Sequence, residues 1–274
     1  DVVAMCADAI SRAMRDQPDA TVFSLSQNDN RKHCQCDRCA ALEKSEGTAM
    51  APVLYLVNRV AEAVEKEFPE KVVETLAYQW TRKPPRTMRP RRNVVIRLCD
   101  IECCFAHPLA SACNERNRAF VDDLRAWSKA CDRLWIWDYT TNYSHYLLPF
   151  PNKRVLDDNI RLFAENGVKG VFEQGTYDTP NSELAALKAY LIAKYLWDPA
   201  YDESRAMGEF LDAYFGKAAA HVRRYIDLTH DHVERDRVHV GIFAPVTHPH
   251  LTPELLMEAN TLWDGAEASV RGTP

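Results

Sequence analysis

The chain has 274 residues, 46% of them hydrophobic and 27% charged, with a formal net charge of -5. That is an ordinary globular composition, and it excludes a low-complexity chain or a strongly basic nucleic-acid-binding one. No run of about eighteen apolar residues occurs, so no helix is expected to span a membrane.

In chain order, short β-rich runs alternate with amphipathic helices. Residues 21–26 predict the first strand. Residues 49–68 predict a helix, with Leu54, Val57, Val60, Ala61 and Val64 at helical spacing and Pro69 closing it. Residues 72–78 predict the second strand. The basic stretch from Arg82 to Arg92 is broken by Pro84, Pro85 and Pro90, which reads as a solvated linker rather than a nucleic-acid patch. Further strands are predicted at 93–98, 133–137 and 168–172. Further helices are predicted at 114–130, 155–165 and 182–196, the last with Ser182 as N-cap. Residues 202–235 read as wholly helical, and 248–268 as a last helix.

Strands spaced by helices imply βαβ units and a parallel sheet, hence an α/β fold. No glycine-rich phosphate loop follows any strand, which weighs against nucleotide-binding sheets. Two architectures fit. One is an open sheet. The other is the C-terminal portion of a (β/α)8 TIM barrel over residues 1–200, lacking its first strands, with a helical region at 201–274.

Every predicted strand exits into polar or aromatic residues. The first gives Asn28 and Asp29, the second Tyr78 and Trp80, and the third Asp100 and Glu102, with His107 beyond. The fourth gives Trp137, Asp138 and Tyr139, followed by Asn142, Tyr143 and His145. The fifth gives Glu173 and then Tyr177. Strand ends of this kind converge on one face of a parallel sheet, where active sites sit. Paired carboxyls and flat aromatic rings suit sugar cleavage. Strand alternation would set Asp100 and Glu102 on one side. Asn28-Asp29 places an amide beside an acid, which can polarise an acetamide while the acid protonates a leaving oxygen.

Nine cysteines are present. Cys34, Cys36 and Cys39 have the density of a zinc site but supply three thiols, where structural zinc takes four ligands. A fourth from Cys99, Cys103 or Cys104, disulfides, and free thiols all stay open. Cys6, Cys113 and Cys131 read as packing residues, and His221, His230 and His232 as solvated. No cofactor is required by this reading, and a structural zinc is its one candidate.

The ordered segments SQNDN, CQCDRC, LAYQWTRKPP, RLCDIECCFAHPL, WIWDYTTNYSHYLLPFPN, GVKGVFEQGTY and AKYLWDP resemble the domain of unknown function 4838, part of which is classified as glycoside hydrolase family 163. The resemblance implies a (β/α)8 glycosidase. It implies endo-β-N-acetylglucosaminidase activity on N-glycans, retaining, with participation of the substrate acetamide. It also implies an oligosaccharide or glycoprotein-glycan partner and a secreted, periplasmic or cell-surface location. By analogy with acetamide-assisted barrels, Asp29 would be the general acid, with Asn28 or Glu102 handling the acetamide and Glu173 as the alternative acid. The remaining strand-end residues would bind sugar. A non-catalytic carbohydrate-binding barrel and a metal- or thiol-dependent enzyme built on the cysteines are the competing readings.

Overall fold

The computed structural model describes residues 2–272. They divide into two compact units. One comprises residues up to Ile101 with 122–138 and 166–172, and the other 102–121, 139–165 and 173 onward.

The first unit is built on a five-stranded sheet, curled as a half-barrel, whose strands pair strictly in chain order. They are β1 (Val22–Ser24), β2 (Val72–Ala77), β3 (Val94–Cys99), β4 (Leu134–Tyr139) and β5 (Gly170–Gln174). Pairing is parallel, with Val22 opposite Val72, Val73 opposite Val94 and Ile96 opposite Leu134. Val73, Thr75, Ala77, Ile96, Leu98, Leu134 and Ile136 are buried. Helix α3 (Met50–Glu65) packs on β2 and β3 and buries Leu54, Val57, Val60, Ala61 and Val64, the stripe read from the sequence. The period-two pleat turns Ser24, Leu76, Arg97, Trp135 and Trp137 to the other face. Together with Glu74 they line a cavity of about 410 Å³. Gly170 lies against Trp135, where a Cβ would come within 3.2 Å of the indole.

Two helices in this unit have no counterpart in the sequence reading: α1 (Val2–Asp16) and α2 (Asp37–Glu46). The second starts directly after Cys36, which is its N-cap, so Cys39 lies in a helical turn rather than a loop. Strand β3 ends at Cys99, and Ile101 and Glu102 lie in a turn. The alternation expected to set Asp100 and Glu102 on one side therefore stops before both. Helix α4 (Glu115–Ala130) lies where a helix was expected and buries Phe120, Leu124 and Trp127.

The second unit is mainly helical: α5 (Leu156–Glu165), α6 (Ala185–Trp197), α7 (Glu203–Phe215), α8 (Ala219–Arg235) and α9 (Pro253–Val270). They share a core that includes Leu191, Tyr195, Met207, Leu211, Val222, Ile226 and Leu262. The expected continuous helix over 202–235 is broken at Gly216, whose φ of 51° is left-handed. Helix α6 begins at Ala185, with Ser182 in the turn before it, its carbonyl accepting from the Ala185 N–H at 3.2 Å. Tertiary contacts override the cap signal. Glu183 is drawn into a buried network, accepting from Lys153 Nζ at 2.7 Å and from the Tyr225 hydroxyl at 3.1 Å. Lys188 Nζ donates to the Thr140 carbonyl at 3.1 Å and stands 4.0 Å from the Glu183 carboxylate.

His230 and His232 are buried, against the expectation of solvated side chains. Helix α8 packs on α7 and on α9, so more than one face is covered. The His230 Nε2 accepts from the Lys153 N–H at 3.0 Å, and its Nδ1 donates to the Ile226 carbonyl at 2.7 Å. Burial, followed by the charge of Lys153, holds its pKa well below the imidazole value of 6.5. The folded state therefore binds fewer protons than the unfolded one below pH about 6.5. Stability is full above that pH and falls as pH drops through it, by up to about 1.4 kcal/mol per pH unit. Thermal melts of wild type and His230→Gln between pH 7 and 5 should show a shallower slope in the variant. Equal slopes would assign the acid sensitivity to other groups.

Candidate functional site

The first unit holds a rim built from the ends of β1 and β2. Ser26 Oγ accepts from the Leu76 N–H at 3.2 Å, and Gln27 Nε2 donates to the Tyr78 carbonyl at 3.3 Å. Gln27 also accepts a short bond from Thr81. Trp80 Nε1 donates to the Asn30 carbonyl at 3.0 Å, and the Trp80 ring stacks on His33 at 4.7 Å. These bonds fix the loop carrying Asn28 and Asp29 against the loop after β2. Gln79 Nε2 donates to the Tyr78 oxygen at 2.9 Å, and Tyr78 O–H donates to Asp29 Oδ1 at 3.2 Å. Burial, then the Asp29 charge, pushes the Tyr78 phenol up to about 12, so it stays a donor.

Gln79 sits at φ 51°, a left-handed conformation that costs a non-glycine residue about 1–3 kcal/mol. Strain of this kind gathers at functional sites because the surroundings hold it there. Asn28 and Asp29 are exposed, whereas Asp100 and Asp138 are nearly fully buried. On the concave face, Arg97 Nε stands 3.3 Å from Glu74 Oε1. The same guanidinium lies 5.4 Å from the Trp135 ring and 5.7 Å from that of Trp137. Trp137 meets Phe172 edge-on at 5.0 Å.

The second unit carries an aromatic cluster. Tyr143 lies 6.0 Å from Tyr139, 5.8 Å from Tyr146, 6.4 Å from Tyr177 and 6.2 Å from Phe243. Tyr177 is 75% exposed and Phe243 61% exposed, so the cluster presents open ring faces. Tyr143 O–H donates to the Gln174 carbonyl at 2.7 Å, next to Glu173 on β5. Asn142 is buried and its amide is bonded to backbone: Nδ2 donates to the Ala244 carbonyl at 2.8 Å, and Oδ1 accepts from the Ser144 N–H at 2.9 Å. It therefore holds the loop that carries Tyr143. His145 is exposed on the same loop, and its N–H donates to Asn142 Oδ1 at 3.3 Å. Tyr146 and Phe243 were not among the residues singled out in the sequence. Tyr146 was legible in the same loop, but Phe243 enters from a distant segment.

Two groups of side chains could hold a metal among the described residues. In the first unit, the sulfurs of Cys34, Cys36 and Cys39 lie within 4.8 Å of one another. Bonds from the Cys39 N–H and from Cys34 lower the Cys36 thiol pKa, and burial pushes Cys39 up to about 12. These cysteines form one wall of a largely apolar cavity of about 600 Å³ that also touches Leu25, Leu42, Leu56 and Trp80. In the second unit, donor atoms of Cys104, His107, Cys113 and His239 also lie within 4.8 Å of one another. His107 Nδ1 is 3.3 Å from Cys104 Sγ. The hydrogen bond from Cys113, then that from His107, lowers the Cys104 thiol to about 4 against the cost of burial. Cys113, read as a packing residue, thus belongs to a polar cluster. Cys104-x2-His107 and Cys113 were visible in one loop, but nothing in the local pattern pointed to His239.

A family model described as Domain of unknown function (DUF4838) matches residues 1–227. No curated protein matches the chain.

Proposed function

The chain belongs to the DUF4838 family, and from that footing we propose that it is a glycoside hydrolase acting on glycans that contain N-acetylhexosamine. The curled parallel sheet is read as part of a (β/α)8 barrel with catalytic residues at its strand ends. The single observation that carries the proposal is the Gln79–Tyr78–Asp29 relay. It aims a donor at an exposed carboxylate, on a strained turn, beside Trp80.

In this reading Asp29 is the general acid that protonates the glycosidic oxygen, and Tyr78 fixes the carboxylate in place. Asn28, adjacent and exposed, orients the substrate acetamide, whose own oxygen attacks the anomeric carbon as the protonated leaving oxygen departs; water then opens the cyclic intermediate from the other face, and the two inversions give net retention. Glu102 is the second candidate for the acetamide role and Glu173 the second candidate for the acid. Tyr143 and Tyr177 offer sugar platforms on the second unit. Endo-cleavage of N-glycans at a secreted, periplasmic or cell-surface location is the most specific form of this proposal.

The deciding experiment incubates the intact protein with N-glycoproteins and with simple N-acetylhexosaminides, and detects released sugars by mass spectrometry. Release from either substrate supports hydrolysis. The open ring faces of Tyr177 and Phe243 favour one competing reading, a carbohydrate-binding protein without turnover. Glycan binding with no released product would establish that alternative.

A further inference from the structure

We propose that Cys104, His107, Cys113 and His239 form a structural zinc site in the second unit, independent of the hydrolase reading. Two thiols and two imidazoles make one of the common donor sets of structural zinc. Their donor atoms already converge to within 4.8 Å of one another. A tetrahedral ion with Zn–S bonds of about 2.3 Å and Zn–N bonds of about 2.0 Å sets its donors roughly 3.3–3.8 Å apart. The 3.3 Å between Cys104 Sγ and His107 Nδ1 is close to the roughly 3.5 Å of a mixed S–N edge. Closing the remaining distances takes side-chain adjustment, and His239 is exposed, its ring meeting that of His107 edge-on at 5.4 Å.

The backbone assembles the cluster before any ion arrives. The Asn117 side chain, fully buried, accepts from the Cys104 N–H at 2.7 Å and donates to its carbonyl at 3.2 Å. The Phe105 N–H donates to the Val240 carbonyl at 2.8 Å, which holds the Cys104 strand of chain beside His239. Cys113 directly follows Ala112 at φ 47°, and His239 comes two residues after Arg237 at φ 52°, both non-glycine residues in left-handed conformations. A clamp across both turns explains how those conformations persist. A Cys104–Cys113 disulfide would account for two donors and leave the convergence of both imidazoles without a cause.

Four protein donors leave no open coordination position, so the ion is structural rather than catalytic. Both sulfurs bind as thiolates, so any thiol proton they still carry passes to solvent, and the ion pins the loop after β3 to the segment after α8.

The test measures zinc by elemental analysis in the intact protein, purified without chelator and after equilibration with zinc. Wild type is expected to hold about one zinc more than His239→Ala or Cys113→Ser. His239→Cys, which restores a ligand, should recover it. The triple variant Cys34→Ser/Cys36→Ser/Cys39→Ser should keep this ion, which separates it from any metal on the other cysteine group. Cobalt-loaded protein should show thiolate charge-transfer absorption that His239→Ala alters. Circular dichroism checks that His239→Ala is folded. Equal zinc in wild type and folded His239→Ala, or no zinc in wild type, would overturn the site. So would a Cys104–Cys113 disulfide found by peptide mapping under non-reducing conditions.

Discussion

If the proposed hydrolase reading holds, Asp29→Asn is expected to lower glycan release by about 10²–10⁴-fold while leaving the melting temperature near that of wild type. The substitution keeps shape and the bond from Tyr78 but removes the transferable proton, and loss of a general acid is worth about that range. Asp29 is exposed, so its replacement has little to disturb. Tyr78→Phe is the matching control. It deletes the hydroxyl that stands 3.2 Å from Asp29, and its effect should be smaller, with a change in the pH profile of turnover. Glu173→Gln addresses the alternative acid. Wild-type turnover in Asp29→Asn together with a large loss in Glu173→Gln would move the acid role to β5.

Glu183→Ala is expected to cost about 3–5 kcal/mol of stability, read as a lowered denaturant midpoint. Its partner Lys153 is 1% exposed, so removing the carboxylate leaves a buried ammonium without its counter-charge. Tyr225 would lose its acceptor as well. Lys188 adds to the effect. Burial already lowers its pKa to about 7 from 10.5, while Glu183 opposes that shift. Between those values the unfolded state binds more protons than the folded one, so Lys188 makes stability rise with pH across that window. Without Glu183 the window should widen downward. The double variant Lys153→Met/Glu183→Leu removes both charges and should recover much of the loss. If Glu183→Ala alone melts like wild type, the network is not a source of stability.

The five strands were legible because each is a short β-branched or aromatic run bounded by turn residues, and all five lie where the pattern put them to within a few residues. Helix α3 was legible through its apolar stripe. Helix α2 was not. Its apolar residues Ala40, Ala41 and Leu42 are contiguous, and none of its residues is buried, so no helical period marks it. The burial of His230 and His232 was not legible because nothing in the local pattern shows that α8 is covered by both α7 and α9. At the rim, the acid and aromatic residues were readable as strand ends. The Tyr78–Asp29 bond was not, because it joins loops that local pattern cannot relate. The same holds for His239, whose partners lie in the loop after β3.

Strict chain order in the sheet has a consequence for how the protein is made. Each strand pairs with the one synthesised before it, so the sheet can grow one hairpin-free step at a time during translation. No strand has to wait for a later one to be inserted between existing neighbours. As the sheet grows, the growing edge is that of the newest strand until the next βα segment covers it, while β1 keeps the opposite edge among the described residues. Slowing synthesis after β3 or β4 should therefore prolong the exposure of one edge and leave the register of the earlier pairs intact.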